Sequence, residues 1–403
     1  MPQLPLFPTQ IVGSWSKPKW LANHEMFFAP ENTWWRVPEE QRPEALDDAT
    51  LLAIYDQERA GLTYVTDGEQ RRQTFSGYFN VLGGIDNLHR AEYTVTMGDI
   101  GNALKMKSKP RLGVVTDQPS TDKIPAAAMF KATVPQVTGP VTWPGPILGR
   151  DLAFLKSNTT RLTKMTIIGP CSLSVRLADA HYGSQAKMAF GIADALNAEL
   201  RYLQDAGVDM LQIDEPEAHF RYSQCKDYAV EAINRTIRGI TVPTAVHVCY
   251  GYSKNIAAKQ VNPIYEKSLE LLAASDIDEI SLEYEQPGHT PELLTHIGNK
   301  TVILGLLNLD TEAPVEAVDH IVKRTRAAME VVPAERLRLA SDCGMWFLPR
   351  ERALGKIRAL EQAAQVLRAQ VPSAAAARGP RGRAPHDRQA PHAGGGPAPV
   401  GAP

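Results

Sequence analysis

The 403-residue sequence has only four cysteines, 7% aromatic residues and no useful charge excess, with 43 Lys and Arg against 45 Asp and Glu for a net −2. Four cysteines in so long a chain cannot staple a fold, so disulfides are not its framework and a reducing compartment is expected. Balanced charge leaves no basic stripe, which argues against an electrostatic nucleic-acid binder. No stretch approaches the roughly 20 apolar residues that a membrane helix requires. Met1 to Gln10 carry neither a basic n-region nor an apolar h-region, so no secretory leader is expected there. Nothing matches a GxGxxG or a P-loop, and nucleotide binding has no support. The expectation is a soluble, cytoplasmic, globular enzyme.

What is present divides sharply near residue 371. From Val371 onward the chain reads VPSAAAARGPRGRAPHDRQAPHAGGGPAPVGAP, in which nine Ala, seven Pro and six Gly leave little to pack. Such a segment buries too little apolar surface to offset its ordering entropy, so residues 371–403 are expected to be a disordered, low-complexity tail. The fold then belongs to residues 1–370.

Within that span, short apolar runs alternate with longer helical patterns. The runs are Gln10–Trp15, Tyr64–Asp67, Lys164–Gly169, Val208–Asp214, Thr244–Cys249, Glu279–Glu283, Val302–Leu307 and Arg336–Ala340. They are apolar on both faces, as strands of a covered parallel sheet are. Ile192, Leu196, Leu200 and Leu203 mark one helix face ended by Gly207, and Pro314 marks another helix start. Eight strands each followed by a helix predict an α/β fold, a (β/α)8 TIM barrel. Residues 91–117 alternate like a hairpin and residues 128–150 are punctuated by Pro and Gly, so an insertion over about 84–150 is expected to cover one end.

Barrel enzymes carry their chemistry at the carboxyl ends of strands. His247 and Cys249, two apart on one strand, share a face. Alone, such a pair is as readily a buried histidine beside a packed thiol. With Cys343 and a carboxylate from Glu283 or Glu285 it becomes an N, S, S, O set suited to tetrahedral Zn2+. Glu69 and Asp214, also at strand ends, suit acid–base work or the anchoring of an ammonium group. Cys171 and Cys225 read as packed thiols. Trp15, Trp20, Phe27, Phe28, Trp34 and Trp35 read as a lid over the mouth or a stack for a flat donor. Arg71 and Arg72 read as a solvated helix start or a contact for an anionic tail.

The segments TQIVGSW (9–15), DGEQRR (67–72), QIDEP (212–216), HVCYG (247–251), SLE (281–283) and DCG (342–344) together resemble the catalytic C-terminal barrel of cobalamin-independent methionine synthases. The resemblance covers about residues 9–370. It implies an S-methyltransferase of the methyltetrahydropteroyltriglutamate–homocysteine type, acting in methionine biosynthesis. It implies His247, Cys249, Glu283 and Cys343 as zinc ligands, choosing Glu283 over Glu285. It implies Ile11 and Ser14 for the homocysteine carboxylate, and Glu69 and Asp214 for its amino group.

Zinc coordination would supply a thiolate where a free thiol is mostly protonated. Two departures leave the donor open between a folate and methylcobalamin or a corrinoid protein. The second, N-terminal barrel of two-barrel members has no counterpart in these 403 residues, and Glu312 aligns with the family's active-site histidine. Other thiol alkyltransferases, such as epoxyalkane:coenzyme M transferases, and a non-catalytic zinc- or thiol-binding barrel stand as alternatives. Coenzyme M lacks an amino group, so Glu69 and Asp214 together favour an amino thiol. Removal of residues 371–403 is expected to leave melting temperature and activity unchanged, as differential scanning fluorimetry and a thiol-methylation assay would read.

Overall fold

The computed structural model describes residues 4–24, 34–74, 77–95, 130–250 and 265–371. In chain order the strands are β1 (Tyr64–Val65), β2 (Gly83–Val95), β3 (Phe130–Thr142), β4 (Leu162–Ile168), β5 (Ala178–Asp179), β6 (Met210–Asp214), β7 (Thr244–Val248), β8 (Glu279–Leu282), β9 (Thr301–Gly305) and β10 (Leu337–Ala340). Seven form one sheet in the order β1-β4-β6-β7-β8-β9-β10, every pairing parallel.

The first predicted run, Gln10–Trp15, supplies the closure together with the two residues before it. Leu339 N donates to Pro8 O at 2.9 Å and Gln10 N to Leu339 O at 3.0 Å on one side, while Tyr64 N donates to Thr9 O at 3.1 Å on the other. Residues 8–10 therefore join β10 to β1, and the sheet closes as the expected barrel. Past this bridge the run is irregular rather than extended to Trp15, because Trp15 N turns to Gly68 O at 3.0 Å and begins the mouth of the barrel.

Apolar side chains divide between the barrel's two sides. Tyr64, Met210, Ala245, Ile303 and Ala340 pack together as a small cluster apart from the main core. The outward faces of the strands meet the helices in one large core. In the helix Gln185–Asp205 the predicted stripe of Ile192, Leu196, Leu200 and Leu203 is fully buried, and Gly207 follows at φ 84°. The second predicted helix starts later than Pro314. It spans Val318–Met329, because the preceding residues tether the loop instead. Pro314 O and the Glu316 carboxylate both accept Lys356 Nζ at 2.7 Å, and Glu316 also accepts Asn308 N at 2.8 Å.

The insertion is a hairpin with a different return arm from the one its alternation suggests. Described residues of β2 pair antiparallel with β3, from Gly83 opposite Thr142 to Val95 opposite Phe130, so the partner of residues 91–95 is the strand that starts at Phe130. Most of that stretch, with the rest of 96–129, lies outside the described residues. Pro135 is tolerated because the register jumps between Asp86 and Ala91, where no ladder bond is asked of it. The predicted tail, from residue 372, also lies outside the described residues. No helix among the described residues is long and apolar enough to cross a membrane.

Glu199, buried on the helix Gln185–Asp205, fastens the insertion to the barrel. Its carboxylate accepts Trp143 Nε1 at 2.6 Å, Ile147 N at 2.9 Å and Leu148 N at 2.8 Å. Glu199→Ala strands three donors and is expected to destabilise the protein by about 3 kcal/mol, measured by urea denaturation.

Candidate active site and metal-ligand cluster

β7 carries His247 upward and ends just before Cys249, while Cys343 follows β10 by three residues. The ligand atoms of His247, Cys249 and Cys343 all lie within 4.8 Å of one another, and all three residues are buried. His247 Nδ1 is bonded to Ser281 Oγ at 2.9 Å, which fixes the ring and leaves Nε2 as the nitrogen that would ligate. Glu283 is fully buried nearby but outside this group of three, and its Oε1 accepts Tyr250 N at 2.9 Å. Glu285, the other carboxylate weighed from the sequence, pairs with Arg324 at 2.9 Å and His320 at 2.7 Å instead.

The Asp67-Gly68-Glu69 turn presents the next functional group. Gly68 and Glu69 both adopt left-handed φ, 65° and 54°. A Cβ on Gly68 would lie 2.7 Å from Ala53 Cβ and 2.8 Å from Trp15 Cβ, so glycine is required there twice over. The turn aims Glu69 at β4, where its Oε1 accepts Thr166 Oγ1 at 2.7 Å and lies 3.4 Å from Arg72 Nη1. Gly13 leaves room for that carboxylate, since a Cβ there would come 2.4 Å from Glu69 Oε1.

Asp214, at the end of β6, accepts Gln212 Nε2 at 2.7 Å. Burial, and then the charge of Glu69, push its carboxyl up to about 8. Two carboxylates close enough to repel one another in a buried mouth suit a ligand carrying positive charge. Ser14 Oγ is buried beside this strand-end array with no hydrogen-bond partner within the described protein. Ile11 is fully buried, and its carbonyl accepts Lys164 Nζ. Glu312 is exposed in the loop after β9, its amide donating to Asp310 Oδ1 at 2.8 Å.

Some sequence readings change once the packing is visible. Neither Arg71 nor Arg72 is a solvated helix start, although Arg71 still lines a cleft with Trp35 and Tyr78. Arg71 is buried against Asp47, Asp151 and the Phe154 ring, and Arg72 donates to Thr166 O at 2.8 Å and Thr166 Oγ1 at 3.0 Å. Trp34 packs with Trp346 and Ala22 as a lid would, whereas Phe27 and Phe28 lie outside the described residues. Cys171 and Cys225 are packed thiols as expected, buried in one small cluster with Ala189 and Ala229.

Glu215, next to Asp214, faces away from the mouth and accepts Cys171 N at 2.8 Å and Ser172 N at 2.9 Å. The sequence reading gave no role to Asp342, Gln212 or Lys164. Lys164 had a signal available, as the one charged residue in the strand LTKMTII.

Known proteins resemble this chain over most of its length. Residues 122–366 match the family described as cobalamin-independent synthase, catalytic domain. The chain is 29% identical over 372 residues to the methionine synthase of Thermococcus kodakarensis, covering 91% of this chain and 95% of that one. It is 27% identical to the methionine synthase of Sulfolobus acidocaldarius, covering 88% and 90%. A B12-independent methionine synthase from Shewanella sp. W3-18-1, solved with selenomethionine, superposes with a TM-score of 0.75 at 31% identity, covering 91% of this chain and 98% of that one.

Asp342 is the residue on which the upper rim most visibly hangs. Its carboxylate accepts the amides of Glu285 at 3.2 Å and Gln286 at 2.7 Å, with Tyr284 N at 3.4 Å. Asp342→Ala is expected to cost about 3 kcal/mol of stability in urea denaturation, with Asp342→Asn costing less because one acceptor oxygen remains.

Proposed function

The chain belongs to the cobalamin-independent methionine synthase family, and on that premise we propose that its barrel binds Zn2+ and methylates the sulfur of homocysteine to give methionine. The observation that carries this reading is the meeting of three soft donors, His247, Cys249 and Cys343, at the same strand ends as the Glu69 and Asp214 carboxylates. An imidazole and two thiols that converge within 4.8 Å fit a zinc ion, and Glu283 would add a carboxylate oxygen. Bound there, zinc would keep an incoming thiol as its thiolate at neutral pH.

The remaining work falls to the chain's own groups. Glu69 and Asp214 would take the α-ammonium, which stabilises the ionised form of Asp214 that burial disfavours. Ser14 Oγ would donate to the α-carboxylate, with the Ile11 segment beside it. Ser281 holds the His247 ring so that Nε2 faces the sulfurs. Fixing the amino-acid end in this way orients the side-chain sulfur for in-line attack on the methyl donor. The selenomethionine in the Shewanella relative has the same amino-acid end as the product of this reaction. A thiol without an ammonium, such as coenzyme M, has nothing to set against the paired carboxylates. We assign the reaction to one barrel spanning about residues 1–370, with a folate or a corrinoid as the donor.

His247→Ala and Cys343→Ser are each expected to lose zinc and turnover while retaining the far-UV circular dichroism of a folded barrel. A variant with full zinc and full activity would refute the ligand set. Asp214→Ala is expected to raise the homocysteine KM by about 10- to 100-fold with zinc content unchanged. A panel of methyltetrahydrofolate, its triglutamate, methylcobalamin and a short epoxide, each with homocysteine, identifies the donor.

A further inference from the structure

Lys17 places an ammonium where the mechanism above has no use for one. The residue is 2% exposed, and its Nζ donates to Glu69 O at 3.1 Å, Gln70 O at 3.0 Å and Arg72 O at 2.6 Å. Indole rings surround the same nitrogen, with centroids at 4.6 Å for Trp346, 5.3 Å for Trp35 and 5.9 Å for Trp34. All three N–H bonds thus end on one turn of backbone. Burial draws the group down to about 7, opposed by the charges of Glu69 and Asp67.

The turn so held is a strained one. Glu69 sits at φ 54°, a conformation that a non-glycine residue keeps only where its surroundings over-determine it. The main chain of Lys17 and its neighbours also ties this turn to other parts of the site. Lys17 N donates to Trp346 O at 3.1 Å, Met345 N donates to Ser14 O at 2.9 Å, and Trp15 N donates to Gly68 O at 3.0 Å. One short segment therefore carries Ser14 and is bonded to both the Glu69 turn and the loop that follows Cys343.

We propose that Lys17 is a positioning residue for amino-group recognition, clamping residues 69–72 so that the Glu69 carboxylate faces Asp214. The inference rests on the amino-thiol reading of Glu69 and Asp214. Lys17 acts through the backbone of Glu69 and touches no ligand itself. Its loss should therefore weaken amino acids selectively, leaving des-amino thiols and the metal cluster as they were.

The test is calorimetric binding to the zinc-loaded protein, using L-homocysteine and its des-amino analogue 4-mercaptobutyrate. The wild type is expected to prefer homocysteine. Lys17→Met is expected to lower that preference about ten-fold, through homocysteine alone, with zinc stoichiometry unchanged. Should Lys17→Met fail to fold, Lys17→Gln keeps two N–H donors for the carbonyls and should lower the preference about three-fold.

A wild type that binds both thiols equally overturns the amino-thiol reading, and this inference with it. A wild type that discriminates, beside a variant that discriminates just as well or loses both thiols in parallel, overturns the role of Lys17 alone.

Discussion

Parallel pairing in register is the constraint from which the site follows. Asp214 lies opposite His247 across β6 and β7, and His247 lies opposite Ser281 across β7 and β8. Residues paired in this way put their side chains on the same face, with neighbouring strands about 4.8 Å apart. The carboxylate, the imidazole and the hydroxyl that orients it therefore line one level of the lumen. A slip of one residue between β6 and β7 would turn His247 outward and remove its bond to Ser281. The apolar packing on the outer faces of these strands, Ile213, Val246 and Ile280 among them, excludes that slip by burying the alternate residues.

Below that level the lumen is charged, which a barrel built for stability alone would avoid. Arg338 pairs with Glu279 and lies 3.3 Å from Tyr64 OH. Lys164 donates to Ile11 O and to Gln212 Oε1 at 3.1 Å, and the amide nitrogen of Gln212 reaches Asp214. A hydrogen-bonded line thus runs from the Ile11 carbonyl through Lys164 and Gln212 to the carboxylate at the mouth. Burial lowers Lys164 to about 7 and raises Asp214 to about 8, disfavouring the charged form of each. Asp214 in that state gains most from a cationic ligand, since the ligand supplies the charge that the interior withholds.

Much of this was legible in the sequence because it follows from local pattern. The apolar, β-branched runs located the seven strands of the barrel sheet to within a few residues, and the spacing of His247 and Cys249 announced a shared face. What escaped was set by distant partners. Pro314 has the residue type of a helix start, yet Lys356 holds that segment from another helix and the helix waits until Val318. Arg71 and Arg72 have the look of surface residues, yet Asp47, Asp151 and Thr166 draw both inside. The return arm of the insertion lies some 35 residues beyond β2, further than an alternating run can indicate. Lys17 and Lys164 are single charges in ordinary surroundings until the carbonyls they bind are seen.

The least local feature of the site is also the one that makes it a single unit. Glu283 follows β8 and Cys343 follows β10, and β9 stands between those two strands. Asp342 spans the gap, gathering the amides that follow Glu283 with a carboxylate one residue before Cys343. The crossing is possible only because β9 ends in Gly305. A Cβ there would lie 2.5 Å from Asp342 Oδ1, 2.7 Å from Asp342 Cα and 2.7 Å from Leu282 O. The intervening strand is thus cut back to bare backbone so that its neighbours can meet over it. The acidic residue of the DCG motif therefore sets the height of the thiol beside it relative to Glu283, and the glycine on the strand between them explains why the motif can work at all.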